Sequence, residues 1–439
     1  MAARLGLLLL GHPDYPNDLG QHFARLCAAA LSERDIEVIP TEPATDAPAA
    51  AEAAKELLKH DPEGIIVLPG TWLEGATALA AIREVEHLPL ALWGLPMFDW
   101  EGKRESTGSF VAVCSLKAPL ERMDYRFKTV VGLPDDAAIV EQLASFAHAA
   151  YATARLKRLR AGLIGYSAMS IYPGTFDHVL LRKQIGPEVV HLDTYTLVRE
   201  AERADEAEVQ ALAERVGGQA EVQATPERLR KACGLAAALK SLVAKHHLQA
   251  LNVKCQYELS QEYGMTACLP MALLADEGVV ASCEGDMMVT VTQALLHYLT
   301  AQTVTYGDIL DLQDNRLLLS ACGFAPFGLA HEGDTRRVCE FDYPGFDGLI
   351  CSFTLKRGPV TFARLAEGRG DYYLVYGTGS GVDTDLRQGK FPALQIEMDG
   401  SPARLMEIIP SQHFALCYGD VSQQLEDVCR ILGLRALRV

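Results

Sequence analysis

The sequence predicts an α/β protein: two doubly wound α/β domains followed by a mainly antiparallel, barrel-like β domain. Three observations carry that prediction. Up to about residue 307, short apolar strands alternate with segments of helical period, the pattern of parallel sheets flanked by helices. Beyond it, β-prone pieces are separated by Gly, Pro and Asp, as in antiparallel sheets and small barrels. The length, 439 residues, exceeds what one ordinary core holds. The expected domains are residues 1–155, 156–307 and 308–439.

In the first domain, strands are read at residues 5–11, 37–40, 64–69 and 88–93, and helices at 18–34, 49–59 and 74–86. A helix over 136–154 leads into the second alternating unit, with strands at 161–165, 188–192, 250–253 and 279–281. Its helices fall at 176–185, 206–216, 226–245 and 287–300. The third domain has β-prone pieces at 348–355, 360–365, 372–376, 394–397 and 414–418, then a helix over 422–432. The glycines of Tyr376-Gly377-Thr378-Gly379-Ser380-Gly381 lie near the dinucleotide-binding spacing. No helix pattern follows them, so this stretch is read as a β-turn.

A formal charge of −17 argues against nucleic acid or an anionic membrane surface as a partner. No apolar run is long enough to span a bilayer, and the leading run at residues 5–10 is too short for a signal-peptide core. Eleven cysteines without a C-x-x-C pair predict buried, reduced thiols rather than disulfides or a thiolate zinc site. A cytoplasmic location is the expectation.

Chemistry concentrates at Cys283-Glu284-Gly285-Asp286, between an apolar strand and an unbroken helix pattern. In an open α/β sheet, ligands bind at that edge. Helix capping alone would explain Asp286. It does not explain Glu258, a second carboxylate placed just beyond the strand that ends at Val253. There Lys254 is either its ion-pair partner or a group that holds a substrate oxygen. With a lone His413 near the C-terminus, these carboxylates suggest an oxygen-rich site for a hard divalent metal.

In order and spacing, these pieces resemble the L-fucose isomerase and L-arabinose isomerase superfamily, in particular its shorter, fucose-isomerase-like branch. The matching stretches are Gly162-Leu163-Ile164-Gly165 with Met169; Val253-Lys254-Cys255 with Glu258; Ala281 to Asp286; Cys322-Gly323; Gly358-Pro359-Val360-Thr361 with Arg364; and His413 with Tyr418-Gly419-Asp420. The resemblance implies a divalent cation, Mn2+ above all, with Glu258, Asp286 and His413 as ligands. It also implies a homo-oligomer, a trimer or hexamer, in which Trp72 and Trp93 face a neighbouring subunit's site. Many relatives have His-Cys-Gly where this chain has Ala321-Cys322-Gly323, which bears on the choice of sugar.

The expected activity is metal-dependent aldose–ketose isomerisation of a small-molecule sugar or sugar derivative. A Lewis acid chelated by two sugar oxygens stabilises the enediolate, and a carboxylate moves the proton between C1 and C2. Glu258 and Asp286 are the expected catalytic pair. Lys254, Glu284 and Arg364 are expected near the substrate, Glu284 also as a group that orients a ligand. A lyase or epimerase using the same intermediate is the alternative enzyme. A non-catalytic cytoplasmic sugar-binding protein is the alternative outside catalysis.

Overall fold

A computed structural model describes residues 3–343 and 345–439. Two compact units divide the chain. The first comprises residues 1–154 and 423–433, the second residues 155–422 and 434–439. The boundary falls within the helix Ala137–Arg158.

The first unit is built on a five-stranded parallel sheet. Its strand order is Ile36–Pro40, Ala3–Leu10, Gly64–Pro69, Leu90–Gly94, Phe127–Val131. This is one of the two common doubly wound orders. Ala3–Leu10 and Gly64–Pro69 are buried at nearly every position, as continuous apolar runs covered on both faces must be. The C-terminal helix Ser422–Leu432 contributes Asp427, whose carboxylate lies 2.6 Å from Lys128 Nζ and accepts from Ser145 Oγ at 2.7 Å. The sequence reading missed the strand Phe127–Val131 and the helix Ser109–Arg122. That helix contains Pro119, which lowered its apparent helical character.

The second unit contains a four-stranded parallel sheet in the order Val280–Cys283, Ala250–Val253, Arg160–Ile164, Glu188–Leu192. It also contains a mostly antiparallel sheet in which Gly358–Glu367, His413–Tyr418, Thr305–Gln313, Arg316–Ser320, Leu394–Met398 and Tyr372–Val382 pair in succession. Pairing of Tyr372–Val382 back onto Gly358–Glu367 closes these six strands into a ring. The final strand Arg435–Arg438 adds in parallel to Tyr372–Val382. The helix Met287–Thr300 packs against strands Gly358–Glu367 and His413–Tyr418 of the ring.

The expected turn at residues 376–381 is corrected. It is the second half of the strand Tyr372–Val382. A Cβ on Gly377 would come within 2.4 Å of the Phe362 ring, so glycine serves close packing there rather than a bend. Among the described residues no helix is long and apolar enough to cross a membrane.

Candidate active site

The parallel neighbours Ala250–Val253 and Val280–Cys283, with Asn252 opposite Ser282, end side by side. Lys254, Cys255 and Gln256 follow one of them, and Glu284, Gly285 and Asp286 the other. The turn after Cys283 is pinned by the buried Asn252. Its amide donates to Asp286 O at 3.0 Å and Cys283 O at 3.1 Å, and its Oδ1 accepts from Gly285 N–H at 2.7 Å. Glu284 and Gly285 both take left-handed conformations, at φ 69° and 72°. For a glutamate this costs about 1–2 kcal/mol, and such strain collects at functional sites. Gly285 is required by sterics as well, since a Cβ there would fall 2.2 Å from Tyr166 O. Asp286 caps the helix Met287–Thr300, its Oδ1 accepting from Val289 N–H at 3.1 Å.

The β ring supplies the other half of the site. Asp308 and His413 are register partners on adjacent antiparallel strands. His413 is fully buried, and its Nδ1 lies 2.8 Å from Asp286 Oδ2. Its Nε2 lies 3.2 Å from both Glu284 Oε2 and Asp308 Oδ1. Arg364, also fully buried, donates through Nη1 to Asp286 Oδ2 at 2.7 Å and through Nη2 to Pro173 O at 2.6 Å. Three carboxylates therefore face one imidazole and one guanidinium.

Their protonation differs sharply. Burial opposes the charge on Asp286, but Arg364 and His413 outweigh it and hold its carboxyl down at about 2. Burial pushes Glu284 up to about 7, assisted by Cys322 and resisted by His413. Burial disfavours a charged His413, yet Asp286, Asp308 and Glu284 hold its pKa well above the ordinary imidazole value.

Glu258 opens the helical turn Glu258–Tyr263 and stands in a separate group. One carboxylate oxygen pairs with Lys254 Nζ, and the other accepts from Tyr166 Oη at 3.3 Å. Burial works against the charge on Glu258, but Lys254 and Tyr166 keep its pKa below the usual carboxylate range. Lys254 has no exposed surface, and its ammonium also sits 3.8 Å from the Tyr166 ring centroid.

Glu284 lines a cavity of about 300 Å³ with an aromatic wall that includes Phe341, Phe346 and Phe391. Gln256 Nε2 donates to Glu284 Oε1 at 2.8 Å. Gln256 Oε1 and Thr266 Oγ1 are buried without a hydrogen-bond partner, and both residues line this cavity. Cys322 on the same wall approaches Glu284 Oε1 at 3.4 Å and Cys283 Sγ at 3.9 Å. The Cys255 thiol interacts with those of Cys268, Cys283 and Cys322.

Of the three expected metal ligands, the structure brings Asp286 and His413 together and leaves Glu258 with Lys254. Among the described residues, one set of three potential metal-ligating residues offers atoms within 4.8 Å of one another, and it is Cys283, Glu284 and Cys322. Arg364 and Lys254, expected near the substrate, are both wholly buried and paired with Asp286 and Glu258. Trp93 lies in the core of the first unit, its indole donating to Gly132 O. Trp72, in the same unit, is partly exposed and packs beside His12 and Tyr15. Ala321 is buried and adds no polar group. Asn252, Asp308 and Gln256 were not anticipated. The pairing that brings Asp308 opposite His413 has no local sequence signal, whereas a polar Asn252 within an apolar strand run was a signal that could have been used.

No family model matches the chain. Curated sulfoquinovose isomerases are similar to it along most of their length. That of Alkalicoccus urumqiensis is 24% identical over 396 residues, covering 86% of each chain. That of Clostridium sp. (strain MSTE9) is 26% identical over 389 residues, or 85% of each. That of Priestia aryabhattai is 24% identical over 354 residues, covering 77% of this chain and 79% of the relative.

Proposed function

We propose that this chain is an aldose–ketose isomerase whose substrate is sulfoquinovose or a closely related sugar derivative. The coarser statement, that it is an isomerase acting on a sugar, rests on the relatives named above. The observation that carries the mechanistic reading is the position of Glu284. It lies on the cavity wall with one oxygen against Gln256 and the other against His413, two residues from an Asp286 that stays ionised. Adjacent carboxylates in such contrasting surroundings divide the work between acid–base transfer and charge stabilisation.

In this reading Glu284 is the general base. It takes the proton from C2 of the open-chain aldose and returns it to C1, while the O2 hydroxyl proton passes to O1, leaving a ketose. Gln256 orients its carboxylate. His413 lies beside developing negative charge, and Asp286 with Arg364 fixes the imidazole. The unpartnered Gln256 Oε1 and Thr266 Oγ1 receive sugar hydroxyls, because a buried polar atom without a partner is costly until a ligand satisfies it. The aromatic wall excludes water and gives the sugar's C–H faces a surface.

A divalent cation is part of the proposal. Oxygen and imidazole donors with a net negative charge, Glu284, Asp286 and Asp308 against Arg364 and His413, suit a hard ion such as Mn2+. Asp286 and His413 are the two expected ligands that already meet; His413, protonated in the metal-free chain, would give up that proton to serve as a donor, and Glu258 would have to leave Lys254. Such an ion supplies Lewis acidity to the sugar oxygens.

The test is Glu284→Gln. Turnover of sulfoquinovose and exchange of the C2 hydrogen in deuterated water, followed by NMR, are expected to fall by about 10²–10⁴-fold with the circular dichroism unchanged. Wild-type exchange in that variant would remove Glu284 as the base.

A further inference from the structure

We propose that Cys283, Cys322 and Glu284 form a binding site for one thiophilic cation, Zn2+ by preference, separate from the oxygen-rich group around His413. Two of the three ligand–ligand edges already match those of a tetrahedral site. Zinc–sulfur bonds of about 2.3 Å and zinc–oxygen bonds of about 2.0–2.2 Å imply S–S edges of about 3.8 Å and S–O edges of about 3.5 Å. The Sγ atoms of Cys283 and Cys322 are 3.9 Å apart, and Cys322 Sγ is 3.4 Å from Glu284 Oε1. The three ligand atoms all lie within 4.8 Å of one another, and the Cys255 thiol stands beside the two sulfurs.

The surroundings support the site. Tyr306 Oη lies 2.7 Å from Cys283 Sγ and is placed to donate to a coordinated thiolate, as groups behind a ligand do. Cys283 is the last residue of its strand, and the Asn252-pinned turn after it fixes the Glu284 backbone. Cys322 and Glu284 both line the cavity, so the fourth position opens towards it, where water or a sugar oxygen would complete the tetrahedron. Binding releases the two thiol protons to solvent.

Glu284 faces both ways. Its Oε2 is 3.2 Å from His413 Nε2, while Oε1 faces Cys322. Ligand softness assigns the sides: hard cations take the carboxylate and imidazole group, soft ones the thiols. A zinc ion on the thiol side takes Oε1 out of proton transfer and acts as an inhibitor.

The binding test does not depend on the proposed reaction. Reduced full-length protein is titrated with Cd2+, and the sulfur-to-cadmium charge-transfer band is followed in the ultraviolet. One equivalent is expected to saturate the band, Zn2+ to displace it and Mn2+ to leave it unchanged. Cys322→Ser and Cys283→Ser are each expected to weaken that binding by tenfold or more, while Cys339→Ser leaves it intact. Cadmium NMR of the wild-type chain, which needs no variant to fold, is expected to show a two-sulfur, mixed-oxygen environment. No saturable equivalent, a resonance of an all-oxygen site, or unchanged affinity in a folded Cys322→Ser variant would overturn the site.

Discussion

Asp308 and His413 face each other across an antiparallel strand pair, with Asp308 Oδ1 3.2 Å from His413 Nε2. The imidazole is thus gripped from both ends, by Asp286 at Nδ1 and by Asp308 with Glu284 at Nε2. Replacing Asp308 with Asn keeps the shape but removes one of three charges that hold His413 protonated. The expected result is a lower His413 pKa by NMR and reduced kcat, with KM little changed. An unaltered imidazole titration would show that Asp308 has no part in the site.

Cation binding is expected to stabilise the fold by mass action, by about 2.7 kcal/mol when free Mn2+ stands at a hundred times its Kd. Chelation with EDTA should lower both Tm and turnover, and added Mn2+ should restore them. Asp286→Asn and His413→Ala should abolish the Mn2+-dependent rise in Tm. Glu258→Gln separates two cases: loss of the rise places Glu258 among the ligands, and its retention leaves Glu258 as the partner of Lys254 alone.

Asn252→Ala removes the amide that ties together Cys283 O, Gly285 N–H and Asp286 O. Each buried group left unsatisfied costs about 1–3 kcal/mol. Misplacing Glu284 by even an ångström should lower kcat by about 10²-fold. Denaturant unfolding and steady-state kinetics measure the two effects separately. Normal kcat in a destabilised variant would confine Asn252 to a structural role.

In the first unit, Lys128 and Asp427 form an ion pair with side chains only 6% and 4% exposed. Breaking it by Lys128→Met should cost about 3–5 kcal/mol, because it strands a buried carboxylate. The double variant Lys128→Met, Asp427→Leu should recover most of that loss in urea unfolding. Equal losses in single and double variants would contradict the account.

Asp334 accepts from the Thr354 hydroxyl at 2.9 Å and from Arg387 Nη2 at 3.2 Å. Burial opposes its charge, but Thr354 and Arg387 prevail and lower its pKa. A carboxyl with a depressed folded pKa contributes stability in full above the unfolded value, about 3.9, and loses it as pH falls through the folded value. Asp334→Asn should therefore destabilise the protein by about 1–2 kcal/mol at neutral pH, with the difference from wild type shrinking in acid. A difference independent of pH would point to packing instead.

Much of the parallel-sheet region was legible because its strands are uninterrupted apolar runs. Gly64–Pro69, Glu188–Leu192 and Ala250–Val253 have the predicted limits, as does the helix Met287–Thr300. The β ring was read less completely. Asp308 and Asp311 interrupt the apolar pattern of Thr305–Gln313, and Tyr372–Val382 runs through glycines of which Gly377 and Gly379 have no room for a side chain. At the site, the strand-to-helix turn announced Glu284 and Asp286 from local pattern alone. Their contrasting protonation did not show in the sequence, because it depends on Arg364 and His413, which arrive from strands far along the chain.

The chain leaves the first unit within the helix Ala137–Arg158, returns for the helix Ser422–Leu432, and leaves again to add the strand Arg435–Arg438 to the β ring. Neither unit is therefore a single continuous piece of polypeptide. Clipping the tail after Ser422 strips a helix from one core and an edge strand from the other, so a short C-terminal truncation damages both at once. Neither body can be complete until the residues after Ser422 have left the ribosome.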